Sequence, residues 1–132
     1  MPNERLIFAD TSFYYATLDK RDRYHQAAQR LRSYVAEHRL TLTSSWEVVV
    51  ETVTLLRNRY SYEASIDFIK KVLPCLEIVY IDDVIRKHAL SFFEKLSHDK
   101  RLSLCDVISY LLIKEQFGNI PCLAFDDDFA QL

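Results

Sequence analysis

The sequence predicts an α/β fold: three α/β/α layers around a parallel sheet of four to five strands, flanked by helices. Three observations predict it. Four short apolar runs, near residues 5–9, 40–43, 76–81 and 121–125, alternate with longer stretches of helical periodicity. Hydrophobic residues make up 49% of the chain, enough for a core on both faces of a sheet. Gly118 is the one glycine. That disfavours an all-β fold built on tight turns, and it excludes glycine-rich phosphate loops, which need several glycines. The 132 residues suit one compact domain spanning 1–132.

The first strand is Leu6-Ile7-Phe8-Ala9, and Asp10 ends it. Thr11 or Ser12 can then cap a helix running to Leu18. Asp10 would thus stand at the carboxyl end of a buried strand, where open α/β sheets hold ligands. A plain turn-capping role for Asp10 is the alternative. Ala27, Ala28, Leu31, Tyr34 and Val35 recur at helical spacing over residues 22–39. Leu40-Thr41-Leu42-Thr43 is a short strand. Ser44 and Glu47 then have the form of a capping box. Behind them Trp46, Val49, Val50, Val53 and Leu56 form the expected buried stripe. Glu51, one turn beyond Glu47, has no such structural duty and sits beside Val48 and Leu55. A carboxylate among apolar neighbours is costly unless something cationic meets it, so Glu51 is the acid assigned to chemistry.

A further helix over 61–73 stops at Pro74, and Leu76 to Ile81 is a strand. Asp82 or Asp83 caps the next helix, 84–98. Its basic residues, with Lys100 and Arg101, read as a solvated face. Ser103 and Asp106 fit a capping pattern at the start of a helix that Gly118 and Pro121 end. After the last strand comes Asp126-Asp127-Asp128, whose mutual repulsion favours a nearby cation. Phe129 and Leu132 are expected to anchor the final turn.

Asp10 and Asp126 each end a strand and open a helix, and Asp106 opens a helix too. In a parallel sheet these positions gather at one edge, with Glu51 reaching in from the side. Carboxylates that close need a compensating cation. A donor set of oxygens alone suits a hard ion such as Mg²⁺ or Mn²⁺, and phosphodiester hydrolysis is the natural chemistry. The net charge of −2 advertises no general basic field, so contacts to a polyanion must be local. Cys75, Cys105 and Cys122 form no CxxC pair and are expected to be reduced core residues in a cytoplasmic protein. The start is polar and no long apolar span follows, so no membrane association is expected.

IFADTSFYYA at 7–16, SWEVVVETVTLLRNR at 45–59, LSLCDVISYLL at 102–112 and LAFDDDF at 123–129 occur in that order. With these motifs the chain resembles PIN-domain ribonucleases, especially VapC-type toxins, along essentially its whole length. The resemblance places the family acids on Asp10, Glu51, Asp106 and Asp126, with an additional acid at Asp128. It implies that Asp10, Glu51, Asp106, Asp126 and Asp128 hold the metal. Thr11 or Ser12 would be the hydroxyl that supports the metal shell. Ala124 stands where the family often has Thr or Ser. The resemblance further implies an endoribonuclease dependent on Mg²⁺ or Mn²⁺, a homodimer, an RNA substrate such as tRNA or rRNA, and a VapB-like antitoxin. Two rivals remain. A phosphatase-like domain with Asp10 as nucleophile is disfavoured because no DxD follows the first strand. A non-catalytic PIN-like module would bind RNA or protein without cutting.

Overall fold

The computed structural model describes residues 5–96, 98 and 101–125. Its strands are β1 (Leu6–Ala9), β2 (Thr41–Ser45), β3 (Glu77–Val79) and β4 (Cys122–Leu123). They pair in parallel in the order β3-β2-β1-β4. The helices among the described residues are α1 (Thr11–Leu18), α2 (His25–Glu37), α3 (Trp46–Arg59), α4 (Tyr62–Asp67), α5 (Asp83–Leu96) and α6 (Leu104–Leu111). After α4 and α6 the chain widens into π turns, Phe68–Val72 and Leu112–Gln116. The expected three layers and parallel sheet are therefore present. No helix of the described residues is long and apolar enough to cross a membrane.

β1 is apolar because it is buried along its whole length between β2 and β4. From β1 the chain moves outward to β2 and β3, then returns past β1 to β4. The direction reverses between β1 and β4, and a crevice opens at the carboxyl ends of the strands there. The core joins Phe8 of β1 to Phe13 and Tyr14 of α1, Leu56 of α3 and Phe68. Tyr14 meets Phe68 edge-on, with centroids 5.3 Å apart.

β2 is a buried strand made largely of hydroxyl residues, and each of its buried hydroxyls has a partner. Thr43 donates to the Glu77 carbonyl (2.8 Å), and Ser44 donates to the Ala9 carbonyl and meets the Tyr14 phenol, both at 2.6 Å. The Ser45 hydroxyl accepts from the Val48 N–H (3.1 Å). Ser45, not Ser44, is therefore the cap of α3, and the expected capping box is absent. Glu47 falls one position too early to reach back. Its Oε1 is buried with no hydrogen-bond partner among the described residues. The same shift turns the helix, so Trp46 (44% exposed) and Val50 (47%) face outward. Val49 and Leu56 of the expected stripe are buried, joined by Val48 and Thr52. Thr52 takes a core position because its hydroxyl donates to the Val48 carbonyl at 2.7 Å.

Other expectations held or moved by small steps. Asp82, of the two candidates, caps α5 by accepting from the Ile85 N–H (2.8 Å). Gly118 and Asn119 adopt left-handed backbone after the last helical turn, the usual helix stop. Cys75 is exposed rather than buried, because it lies in the tight turn with Pro74 ahead of β3. Cys105 and Cys122 are half-buried. Arg86 pairs with Asp83 on the solvated face of α5 (3.3 Å).

Asp19 closes α1 and anchors a network. Arg21 donates to it from its backbone N–H (2.9 Å) and from Nε and Nη2 (3.0 and 3.1 Å), and the Tyr15 phenol adds a bond of 2.7 Å. The guanidinium bonds, opposed by burial, hold the Asp19 carboxyl down at about 2. A carboxyl whose pKa is lower folded than unfolded stabilises the fold above its unfolded value of about 3.9. That contribution disappears as pH falls toward about 2. We expect Asp19→Asn to remove this acid-side slope and lower stability at neutral pH by about 1 kcal/mol, a modest figure because Arg21 is exposed. Urea midpoints of both proteins against pH measure it.

Candidate functional site

Asp10 follows β1 directly and is the N-cap of α1. It, rather than Thr11 or Ser12, does the capping. Its Oδ2 accepts from the Ser12 N–H (3.3 Å) and from the Ser12 hydroxyl (3.0 Å). The Ser12 oxygen in turn accepts from the Phe125 N–H (2.8 Å), tying the exit of β4 to the Asp10 carboxylate. Thr11 has a different task. Its hydroxyl donates to the Val48 carbonyl (3.4 Å) and lies 3.4 Å from the Thr52 hydroxyl, which ties α1 to α3.

Capping uses only half of Asp10. The residue is 2% exposed, and Oδ1 is buried with no hydrogen-bond partner among the described residues. Burial pushes its carboxyl up, the Ser12 and Thr11 bonds pull it down, and the nearby Glu51 charge raises it again. An orphaned, charged oxygen in this position costs several kcal/mol unless a cation or donor meets it, on the order expected for an uncompensated buried ion.

Asp10 and Glu51 line one cleft of about 300 Å³ at the crevice between β1 and β4. Glu51 reaches it from the second turn of α3, as the sequence suggested. Thr11, Ser12, Tyr15, Asp22, Tyr24, Leu55, Arg59 and Phe125 complete the lining. Asp106 does not line the cleft. Its predicted capping box with Ser103 is present: Asp106 Oδ2 accepts from the Ser103 N–H (3.1 Å), and the Asp106 N–H donates to the Ser103 hydroxyl (3.0 Å). Asp106 is nevertheless close. The Cys105 thiol is pushed up by burial and by the charges of Glu51, Asp10 and Asp106, and it is hydrogen-bonded to Glu51. Three carboxylates from distant segments thus bear on a single thiol. Asp126 and Asp128 lie outside the described residues, as do Phe129 and Leu132.

Among the described residues no three Asp, Glu, His or Cys side chains stand close enough together to hold an ion. The donor chemistry still fits one. The Asp10 oxygen without a partner among the described residues and the Glu51 carboxylate are both oxygen donors in the same cleft.

The family profile of the PIN domain matches residues 7–132. The chain belongs to the PIN domain family. Among solved structures this PIN domain is similar to the VapC20 toxin of Mycobacterium tuberculosis, described as cleaving the sarcin–ricin loop. The two share 24% identity over 95% of this chain and 93% of that one, with a TM-score of 0.81. No curated protein matches it.

Several residues in or near the cleft are not singled out by the sequence. Cys105 looked like an ordinary core residue, and its adjacency to Asp106 was the available signal. Arg59, Tyr24 and Phe125 belong to three separate segments. Nothing in their spacing announces that they line one cleft.

Proposed function

We propose that this PIN domain, residues 1–132, is a metal-dependent endoribonuclease of the VapC toxin type. The observation that carries the reading is the buried Oδ1 of Asp10, without a hydrogen-bond partner among the described residues, in a cleft shared with Glu51. Family membership and the fold shared with a toxin that cleaves RNA support it. Asp10, Glu51 and Asp106 would hold Mg²⁺ or Mn²⁺, joined by Asp126 and Asp128. A bound divalent ion supplies an acidified water and neutralises charge on the phosphate. The chain's own part is to fix the carboxylates. Ser12 orients Asp10 through two bonds, Ser103 orients Asp106, and α3 carries Glu51 to the cleft. A structured RNA such as tRNA or rRNA is the substrate, a VapB-like antitoxin occupies the acidic groove, and the protein works as a cytoplasmic homodimer.

The test is cleavage of total cellular RNA by the purified protein, with Mn²⁺ and then with EDTA, mapping the new 5′ ends. We expect discrete cuts that EDTA abolishes. Glu51→Gln should lower the rate at least a hundredfold, the usual order for one essential group. Glu47→Gln should cut normally, because Glu47 does not line the cleft. The reverse pattern overturns the assignment of Glu51. A second reading draws on Asp106, one of whose oxygens serves the helix cap: a module that binds RNA without cutting it. It predicts RNA retained intact in the presence of Mn²⁺.

A further inference from the structure

Asp10 and Asp106 are each held by a serine, and Glu51 meets a thiol. Ser12 donates to Asp10 from its N–H and its hydroxyl (3.3 and 3.0 Å), and the Ser103 N–H donates to Asp106 (3.1 Å). Glu51 stands differently. It lies in α3 beyond the capped first turn and reaches the cleft on a side chain with one more rotatable bond than an aspartate. The Cys105 thiol is hydrogen-bonded to Glu51, with the charges of Asp10 and Asp106 nearby. Cys105 is itself fixed in place. It is half-buried, packs against the core, and stands in the first turn of α6 between the Ser103 cap and Asp106. The two reciprocal bonds of the capping box close that turn (3.1 and 3.0 Å). α6 in turn packs against α3, which carries Glu51.

We propose that Cys105 is a positioning residue for Glu51: its thiol donates to the carboxylate and holds it toward the cleft. The inference rests on the metal-dependent reading of that cleft. An ion held there draws on the negative charge of its carboxylates. A lysine or arginine beside Glu51 would orient it too, but as an ion pair that competes with the metal. A thiol is a weak, uncharged donor, so it restrains the side chain and leaves the charge in place. The sulfur is not a ligand in this arrangement, because hard ions such as Mg²⁺ and Mn²⁺ take oxygen and sulfur suits soft ones. Hydrogen-bond partners that orient metal ligands change metal affinity or activity by about 10–100-fold when they are removed. One capped turn therefore serves two acids: Asp106 through its own cap bonds, and Glu51 through the thiol of the neighbouring residue.

The experiment uses the full chain and has two readouts. Infrared difference spectra against Cys105→Ser isolate the S–H stretch of Cys105, a band that falls in frequency when the thiol donates to a carboxylate. We expect a lowered band in the parent and its return to higher frequency in Glu51→Gln. Titration with Mn²⁺, with the free ion followed by electron paramagnetic resonance, gives the metal affinity in the absence of RNA. Cys105→Ala and Cys105→Val, which lack a donor, should weaken Mn²⁺ binding roughly tenfold. Cys105→Ser keeps a donor and should stay within about threefold of the parent. Added Mn²⁺ should restore RNA cleavage by Cys105→Ala, a recovery that lost packing alone does not give. Thermal melts check that each variant is folded, and the infrared band carries the decision if Cys105→Ala and Cys105→Val are not. A Cys105 band unmoved by Glu51→Gln overturns the proposal. So does equal Mn²⁺ affinity in the parent, Cys105→Ala and Cys105→Val, or an equal loss in Cys105→Ser and Cys105→Ala. A parent that binds no Mn²⁺ while its band still moves with Glu51→Gln sinks the metal reading, and the positioning role falls with it.

Discussion

Asp10→Asn is expected to lower RNA cleavage by roughly a thousandfold or more while the protein stays folded. The substitution keeps shape and keeps an oxygen that can accept from the Ser12 N–H and hydroxyl. Asparagine also caps helices about as well as aspartate. What disappears is the negative charge on a carboxylate whose second oxygen has no partner among the described residues. Stability should move the opposite way from activity. Burial holds the Asp10 carboxyl above its ordinary value, so the folded state takes up a proton more readily than the unfolded one. A group of that kind costs stability as pH rises from its unfolded value through its folded one. Removing the charge should leave the melting temperature at neutral pH equal or higher, a site that trades stability for activity. Cleavage assays and thermal melts on the same preparation measure both. Normal cleavage by Asp10→Asn would sink the idea that this carboxylate does chemistry. A collapse in melting temperature would mean its role is capping.

Phe8→Ala is expected to cost about 3–5 kcal/mol, the range for truncating a fully buried aromatic ring. Phe8 is 0% exposed and sits in the central strand, opposite Thr43 of β2 and Cys122 of β4. Its neighbours are two strands and the helices covering them, so the hole cannot be closed by moving one loop. Domains of this size have only about 5–15 kcal/mol of stability in total, so much of the protein should be unfolded under mild denaturant. Phe8→Leu, which keeps most of the volume, should cost about 1.5 kcal/mol or less. Urea titrations of the three proteins test the ordering. Equal midpoints for Phe8→Ala and the parent would show that β1 is not the core strand.

The local sequence already carried much of this molecule. An apolar run ending in Asp10, a hydroxyl followed three residues later by an acid at Ser103 and Asp106, and Asp82 ahead of α5 are features that act over one helical turn or one strand. Short-range sterics and hydrogen bonding decide such features, so they can be read without the fold. The start of α3 shows where this stops. Ser44 and Ser45 are equally good caps in isolation. Ser44 was taken out of competition by the Ala9 carbonyl and the Tyr14 phenol, which approach only when β1, α1 and β2 are packed. That choice turned Trp46 and Val50 outward and put Thr52 in the core.

The sequence by itself determined the alternation of strands and helices and the parallel sheet it implies. Only the tertiary structure decided that Cys105 would sit among the carboxylates, that Ser12 would bridge Asp10 to Phe125, and that Tyr24 would stack on Phe125. Such meetings join residues tens of positions apart, and Ser12 and Phe125 are separated by 113. Distances of that kind are set by packing of the whole core, and no pattern within a few residues of either partner encodes them.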